Sequence, residues 1–318
     1  VISGHDASRA VAETLALARR ADELGYYRYW LAEHHAIVAL ADPCPEVLLA
    51  RLGAETKRMR VGTGGVLLPY YSAFRVAETF RMLEALYPGR IDLGLGRAPG
   101  GDARTAQAVG GGRFPDATHF PEQVWQLAAH LDGTLPAAHP FAGVRVQPEV
   151  PTAPEIWLLG SSDYSAALAA QLGLPFSFAH FINPEGESAT RLYRDSFKAG
   201  REDQPRTMVC TFLICAATDD EAERLAAAID LRRLHMALNI DAPMPTLEEA
   251  SRHAYSEEER RYVMSQRARA IIGGPQTCRA RIEEMAARYG AEEVMVLTIT
   301  GDYAPRTRSY ELLIDAFE

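Results

Sequence analysis

Polar residues follow two apolar runs of the sequence, and their types could perform acid–base chemistry. Glu33, His34 and His35 come directly after the run 29–32, and His180 lies near the end of the run 176–181. An imidazole at such a place can act as a general acid or base. Adjacent side chains of an extended chain point to opposite faces, so the paired histidines do not easily share a metal ion. We therefore expect no metal site here. One of the paired histidines should face a cavity, and the other should make a structural contact. His180 could have either role.

Arg97 and the serine pair Ser161 and Ser162 have the chemistry of a phosphate site. The serines open a helical pattern, where free backbone N–H groups and hydroxyls point outward. A guanidinium binds phosphate through two parallel hydrogen bonds. A helix cap and a surface ion pair of Arg97 explain the same residues equally well, and the charge of Asp163 competes with a phosphate at that helix end.

Gly64 and Gly65 remove two side chains from an otherwise apolar, β-branched run at 60–68. Glycines inside a strand indicate a bulge or the close approach of another group to the backbone. The pair therefore predicts either a bulge, a flat ligand lying against the strand, or a bend that accommodates a neighbouring helix.

The elements that must position these residues alternate regularly along the chain. Seven apolar runs of strand type, each followed by a helical pattern, begin near residues 29, 61, 91, 156, 176, 208 and 294. Strands buried on both faces and separated by helices require a parallel sheet covered by helices. The helix predicted at 8–24 lacks a strand before it. We therefore expect an α/β fold of the (β/α)8 TIM-barrel type, with its first strand upstream of Val1.

The segment 235–273 interrupts the alternation. A loop of this length within a compact domain is usually a lid or disordered. We expect residues 1–318 to form a single barrel domain that carries this segment as a lid insertion before its last βα pair. In such a barrel the active site is built at the carboxyl ends of the strands, where the polar residues above lie.

Composition narrows the classes of partner. The chain has 318 residues, of which 47% are hydrophobic and 24% charged, as in ordinary globular proteins. The formal charge is 33 − 42 = −9, and the basic residues are scattered, which argues against nucleic acid or an anionic membrane as a partner. Four separated cysteines fit a reducing cytoplasm better than a disulfide framework. We expect a small-molecule partner.

Several blocks of the sequence, taken together, resemble the bacterial luciferase-like monooxygenase family. The blocks are WLAEHH at 30–35, VGTGGVLLP at 61–69, PGRIDLGLGR at 88–97, GSS at 160–162 with AAQLGLP at 169–175, and GGPQTC at 273–278. They occur in the family's order across almost the whole chain. The resemblance implies the family's (β/α)8 barrel and a reduced FMN, or the deazaflavin F420 in some branches, at its carboxyl-end face.

The resemblance also implies roles for the phosphate-site residues. Arg97, Ser162 and Ser165 would hold the flavin phosphate, with the backbone of Gly160 and Ser161 nearby. Ser161 replaces an acidic residue of the luciferase phosphate site, which alters the detail of that site.

Further positions match the part of the family's site that surrounds the flavin ring. Gly64–Gly65 corresponds to a non-proline cis peptide against the isoalloxazine, and His34 corresponds to the active-site histidine. Ala179 and His180 correspond to positions beside the flavin. Gly96 stands where luciferase has a reactive cysteine, so light emission is not implied.

The function implied by the resemblance is oxygenation of a small organic substrate by O2 and reduced FMN, with a separate flavin reductase as partner. The family also implies a homodimer. An F420-dependent hydride-transfer oxidoreductase on the same barrel is the first alternative. A flavin-binding protein without turnover is the second.

Overall fold

The centre of the fold is a parallel β-sheet, seen here in a computed structural model that describes residues 1–98 and 100–318. The strands of this part of the chain are Arg28–Leu31 (β1), Arg60–Leu67 (β2), Ile91–Gly96 (β3), Glu155–Gly160 (β4), Phe176–Ala179 (β5), Thr207–Cys215 (β6), Ala270–Gly273 (β7) and Glu293–Leu297 (β8). Every pairing between these strands is parallel. Connections between parallel neighbours need crossovers, which the helices supply.

Helices follow the strands in the predicted alternation. They are Ala7–Leu24 (α1), Pro45–Glu55 (α2), Ala73–Leu86 (α3), Ala103–Val109 (α4), Phe120–Asp132 (α5), Asp163–Leu172 (α6), Glu187–Asp195 (α7), Asp219–Ala237 (α8), Leu247–Arg252 (α9), Glu257–Gln266 (α10), Pro275–Tyr289 (α11) and Tyr303–Asp315 (α12). Asp6 caps α1, its side chain accepting from the Arg9 backbone N–H. Gly25 ends this helix in the left-handed conformation, which glycine adopts without steric cost.

Strands β1 to β7 are neighbours in chain order, and the long strand β6 branches the sheet. Its first part pairs with β8 and its last part with β7. No pairing joins β1 to β8 within the described residues, so the sheet curls into an incomplete barrel. The predicted α/β fold of the TIM-barrel type is confirmed.

The prediction of seven strands was wrong by one, because β7 lies at the end of the segment 235–273. Its four residues are too short a run to show strand periodicity beside the charged helix α10. The rest of that segment forms the end of α8, followed by α9 and α10. The proposed lid therefore ends where β7 joins the sheet. A strand upstream of Val1 stays a prediction.

The inward face of the sheet is apolar in its middle. Its members belong to one cluster: Trp30, Trp157, Leu159, Phe181, Met208, Cys210, Met295 and Leu297. The outward face packs against the helices in a larger cluster that contains Leu31, Val61, Leu93, Leu158 and Val209. Alternation along each strand thus separates a barrel interior from the layer between strands and helices.

Ion pairs fill the amino-terminal end of the barrel. Arg28, at the start of β1, binds Asp92 of β3 (2.7 Å) and Glu293 of β8 through two nitrogens (2.7 and 2.9 Å). Arg60 binds the other oxygen of Asp92 (2.7 Å from Nε). Bidentate and shared contacts of this kind satisfy charges that would otherwise be buried without partners.

Glu155, at the start of β4, extends this network. It contacts Arg206 and lies 3.2 Å from Nη1 of Arg28. Burial disfavours its charge, but the hydrogen bond from Arg206 and the charge of Arg28 outweigh burial and lower the pKa of Glu155 to about 2. Both guanidiniums also lie over the ring of Trp157, 4.9 and 5.0 Å from its centroid. The base of the barrel is therefore closed by charged and aromatic side chains.

Candidate active site at the carboxyl ends of the strands

Arg97 follows β3 and is exposed, and its guanidinium stacks on an aromatic ring. The guanidinium carbon lies 4.4 Å from the centroid of Tyr164, in the first turn of α6. Arg97 forms no ion pair within residues 1–98 and 100–318. Stacking engages the face of the guanidinium and leaves its N–H donors, which lie in the plane, available for an anion.

The start of α6 lies beside Arg97 and carries the predicted serines. Ser162 is the N-cap, and the buried Ser165 donates from Oγ to the Ser162 carbonyl oxygen (2.8 Å). A Cβ on Gly160 would overlap Ser165 Oγ, so this cap requires glycine there. Asn183 donates to the Ser161 carbonyl oxygen (3.1 Å) and holds the turn. The hydroxyl of Ser165 is thus engaged in the cap, while the exposed Ser162 and the helix N-terminus face outward and suit an anion.

Gly64 and Gly65 form a cis peptide bond, and the register between β2 and β3 shifts at this pair. The bulge that the sequence left open as one of three alternatives is therefore present. A Cβ on Gly64 would lie 3.0 Å from the ring of Trp30, and one on Gly65 would lie 2.5 Å from the carbonyl oxygen of Gly94. Position 65 therefore requires glycine, whereas a Cβ at position 64 would require the ring of Trp30 to shift by a few tenths of an ångström.

Glu33 is a buried carboxylate that ties together the ends of β1 and β2. It accepts from the Leu67 backbone N–H (2.8 Å) and the Tyr71 hydroxyl (2.5 Å), and it lies 2.8 Å from His35 Nε2. Burial, together with the bond to Glu33, raises the pKa of the Tyr71 hydroxyl, which therefore stays protonated as a donor. These contacts give Glu33 and His35 a structural role.

His34 has a different environment from its neighbour. Its Nδ1 lies 3.2 Å from Asp42 Oδ2, and its side chain is 36% exposed. The alternation of an extended chain puts His34 on the same side as Trp30, the interior side. Nε2 of His34 has no hydrogen-bond partner in the described part of the chain. Asp42 orients the ring and leaves Nε2 free to exchange a proton with a ligand.

His180 lies between the sheet and the helices, in contacts that the other predicted site residues do not share. Its Nδ1 is 3.2 Å from Thr211 Oγ1, and its ring is 5.8 Å from that of Tyr289. Burial, reinforced by the charge of Arg288, lowers the pKa of this imidazole and keeps it neutral. Ala179, the last residue of β5, directly precedes His180 in the chain and therefore lies on the opposite face, the interior side of the sheet.

Sequence reasoning did not find Tyr164, Asp42 or Asn183. Tyr164 could have been found from its place in the first turn after the serine pair, but no local signal marks the other two. Among the described residues, no group of three histidine, cysteine or acidic side chains is placed to hold a metal ion. Among the helices of residues 1–98 and 100–318, none is both long and apolar enough to cross a membrane.

Comparison with known proteins gives concordant matches along the chain. The profile of the family described as luciferase-like monooxygenase matches residues 2–293. The chain is 38% identical to the luciferase-like monooxygenase of Escherichia coli (strain K12), over 99% of this chain and 93% of that protein. It is 33% identical to the N-acetyl-S-alkylcysteine monooxygenase of Bacillus subtilis (strain 168), over 98% and 94% of the two chains.

A solved structure agrees with these matches. The crystal structure of apo-MsnO8 is 38% identical and superposes with a TM-score of 0.91, over 100% of this chain and 95% of that chain. The match to the family profile covers nearly the whole chain, and relatives above 30% identity align end to end with it. The chain belongs to the luciferase-like monooxygenase family.

Proposed function

We propose that the protein is a flavin-dependent monooxygenase that oxygenates a small organic substrate with O2 and reduced FMN. The observation that carries the proposal is Arg97, an exposed guanidinium stacked on Tyr164 beside the N-terminus of α6 and without a carboxylate partner among the described residues. Such a pair of donors fits one phosphate group.

The residues present fit the phosphate end of FMN. Arg97 supplies donors in the plane of its guanidinium, Ser161 and Ser162 supply hydroxyls, and the first turn of α6 supplies backbone N–H groups. Ser165 and Gly160 support this turn through the cap described above. The carboxylate of Asp163 is exposed and forms no ion pair within the described chain, so it can turn toward solvent.

The interior residues fit the ring end of the same cofactor. The bulge at Gly64 and Gly65 presents bare backbone beside Trp30, which suits a flat ring system. When bound, reduced FMN would supply the electrons that activate O2. His34 would hold or move a proton at Nε2, with Asp42 fixing the ring through Nδ1. Ala179, at the end of β5, lies on the interior side of this region. His180 follows it and lies between the sheet and the helices.

The names of the relatives support oxygenation of a small molecule. Both the Escherichia coli protein and the Bacillus subtilis enzyme are monooxygenases by name, and the latter acts on N-acetyl-S-alkylcysteines. The sequence lacks a dinucleotide-binding fingerprint, which favours a separate reductase as the source of reduced FMN. We include in the proposal a homodimer located in the cytoplasm.

Anaerobic titration with reduced FMN and, separately, reduced F420 tests the proposal. We expect reduced FMN to bind more tightly, and Arg97→Ala to weaken that binding about ten- to a hundredfold, because a charge-assisted bidentate contact is lost. Arg145→Ala is the matched control, since Arg145 is exposed and its ion pair in the described part of the chain is with the exposed Glu149 (3.5 Å).

Other results of these titrations would contradict the proposal or favour a different function. Preference for F420 would favour the hydride-transfer alternative. Unchanged affinity in Arg97→Ala would contradict the phosphate assignment. Tight FMN binding, with no product formed on addition of O2 in a screen of small-molecule substrates, would favour a flavin-binding protein without turnover.

A further inference from the structure

Arg233, near the carboxyl end of α8, is a buried guanidinium with unsatisfied donors. The residue is only 8% exposed, and neither Nη1 nor Nη2 has a hydrogen-bond partner among the described residues. Its nearest carboxylate oxygen, Oδ1 of Asp230, lies 3.8 Å away, beyond hydrogen-bond distance. Arginine keeps its charge even when buried, so these donors require an acceptor.

The surrounding charges leave an excess of positive charge at this place. Arg267 binds Oδ2 of Asp230 (2.6 Å) and also Glu223 (3.0 Å), so its single charge balances one of these two carboxylates and Arg233 faces the other, while Oδ1 of Asp230 has no hydrogen-bond partner among the described residues. Arg269 adds a further positive charge beside Arg233 and forms no ion pair within residues 1–98 and 100–318. Burial, and the charges of Arg267 and Arg269, lower the pKa of Arg233 against the attraction of Asp230. An additional anion would balance this cluster.

The guanidinium of Arg233 lies at the rim of the barrel interior. Its carbon is 5.2 Å from the ring centroid of Phe212, near the carboxyl end of β6. That ring lies 5.3 Å from the ring of Phe181, which packs on the apolar interior cluster. A cavity of about 10 Å³ between Arg233, Phe212 and Leu297 has room for one water-sized group, such as an oxygen atom of an acid.

We propose that Arg233 binds the carboxylate of the substrate, and that the substrate is an otherwise apolar small molecule carrying one such group. This inference rests on the proposed function and names the substrate class of the same site. The carboxylate reaches Arg233 at the rim, and the apolar part extends over Phe212 and Phe181 into the interior. A carboxylate is larger than this cavity, so its binding requires the side chains that line the cavity to move apart.

Titration of the protein without flavin tests the inference, using octanoate and octanamide as probes that differ only in the charged group. We expect octanoate to bind about ten- to a hundredfold more tightly than octanamide, as a charge-assisted pair allows. Arg233→Met should reduce that ratio to about one, because it removes the charge and keeps an unbranched apolar side chain.

Arg232→Met is the matched control. Arg232 is equally buried (8% exposed) and donates to the Ala242 carbonyl oxygen (3.0 Å), so its loss also removes a buried charge from α8. The control should keep the wild-type ratio, and circular dichroism should show both variants folded. Equal ratios in the wild type and Arg233→Met, or no binding of octanoate at millimolar concentration, would overturn the inference. Reduced-FMN affinity, measured on the same proteins, reports separately on the proposed function.

Discussion

His34 and His35 are neighbours in sequence but have different partners. His35 lies against the buried Glu33, with its side chain 13% exposed, whereas His34 contacts Asp42 and is 36% exposed. The difference follows from the alternation of an extended chain at the end of β1, which sends successive side chains to opposite faces. His34 is therefore the more exposed of the two imidazoles, and it lies on the interior side.

On the proposed function, we expect His34→Ala to change the rate at which O2 reoxidises bound reduced FMN by about tenfold or more. The substitution removes a proton donor or acceptor beside the flavin ring. His35→Ala should change that rate less than about twofold, and instead lower the melting temperature by about 2–4 °C through the lost contact with Glu33. Rapid mixing with O2 and thermal unfolding of both variants measure this. Equal effects of the two substitutions on reoxidation would argue against the role of His34.

Residue types pointed to some of the candidate site residues and not to others, for a physical reason. Arg97 could be found because it directly follows an apolar strand, where a charged residue lies at the rim. Arg233 could not, because a charged residue within a helical run is usually on the solvated face. Its burial depends on the packing of α8 against β6 and β7, contacts between distant segments that no local pattern records.

At the scale of elements, the close packing of β2 on β3 decides which glycines are required. A Cβ on Gly94 would overlap the carbonyl oxygen of Thr63, whereas a Cβ on Gly96 would lie 3.5 Å from a side-chain atom of Leu67, an ordinary contact. Both glycines lie on the same strand and the same face. They differ only in how near the neighbouring backbone comes.

Gly94→Ala should lower the free energy of unfolding by about 2 kcal/mol or more, since the backbone of β2 or β3 must shift. Gly96→Ala should change it by less than about 0.5 kcal/mol. Urea denaturation of both variants gives the two values. A Gly94→Ala protein as stable as the wild type would mean that the strands are less closely packed than described.

Strand and helix positions were largely predictable because burial on both faces gives long apolar runs. The exception was β7, whose Ala270–Gly273 run is brief and follows the charged helix α10. It becomes a strand because the long strand β6 extends past β8 and offers a free edge there. That edge is a property of the assembled sheet, which is why the segment 235–273 looked like a continuous insertion.

At the scale of the whole molecule, the ion pairs at the base of the barrel make stability depend on pH. The pKa of Glu155 is lowered from 4.5 to about 2 in the folded protein by Arg206 and Arg28, against the effect of burial. The unfolded chain takes up a proton at this carboxylate at higher pH than the folded chain does. The stabilisation is therefore complete above about pH 4.5 and is lost as the pH falls toward 2.

We expect Glu155→Gln to be less stable than the wild type at pH 6 and to show a smaller loss of unfolding free energy between pH 4.5 and 2.5. The difference should approach about 3 kcal/mol over the full window. Glu149→Gln is the control, because Glu149 is exposed and its partner Arg145 is too. Urea denaturation at several pH values gives the slopes, and equal slopes in the wild type and Glu155→Gln would contradict the assignment.

The closed base of the barrel also limits how ligands can enter and leave its interior. Because Arg28, Asp92 and Trp157 fill the amino-terminal end, molecules reach the interior through the opposite rim. If the protein acts as proposed, cofactor, oxygen, substrate and product all pass through this rim. The ligand that lies deeper must arrive first and depart last, so steady-state kinetics of this enzyme should show a compulsory order of addition and release.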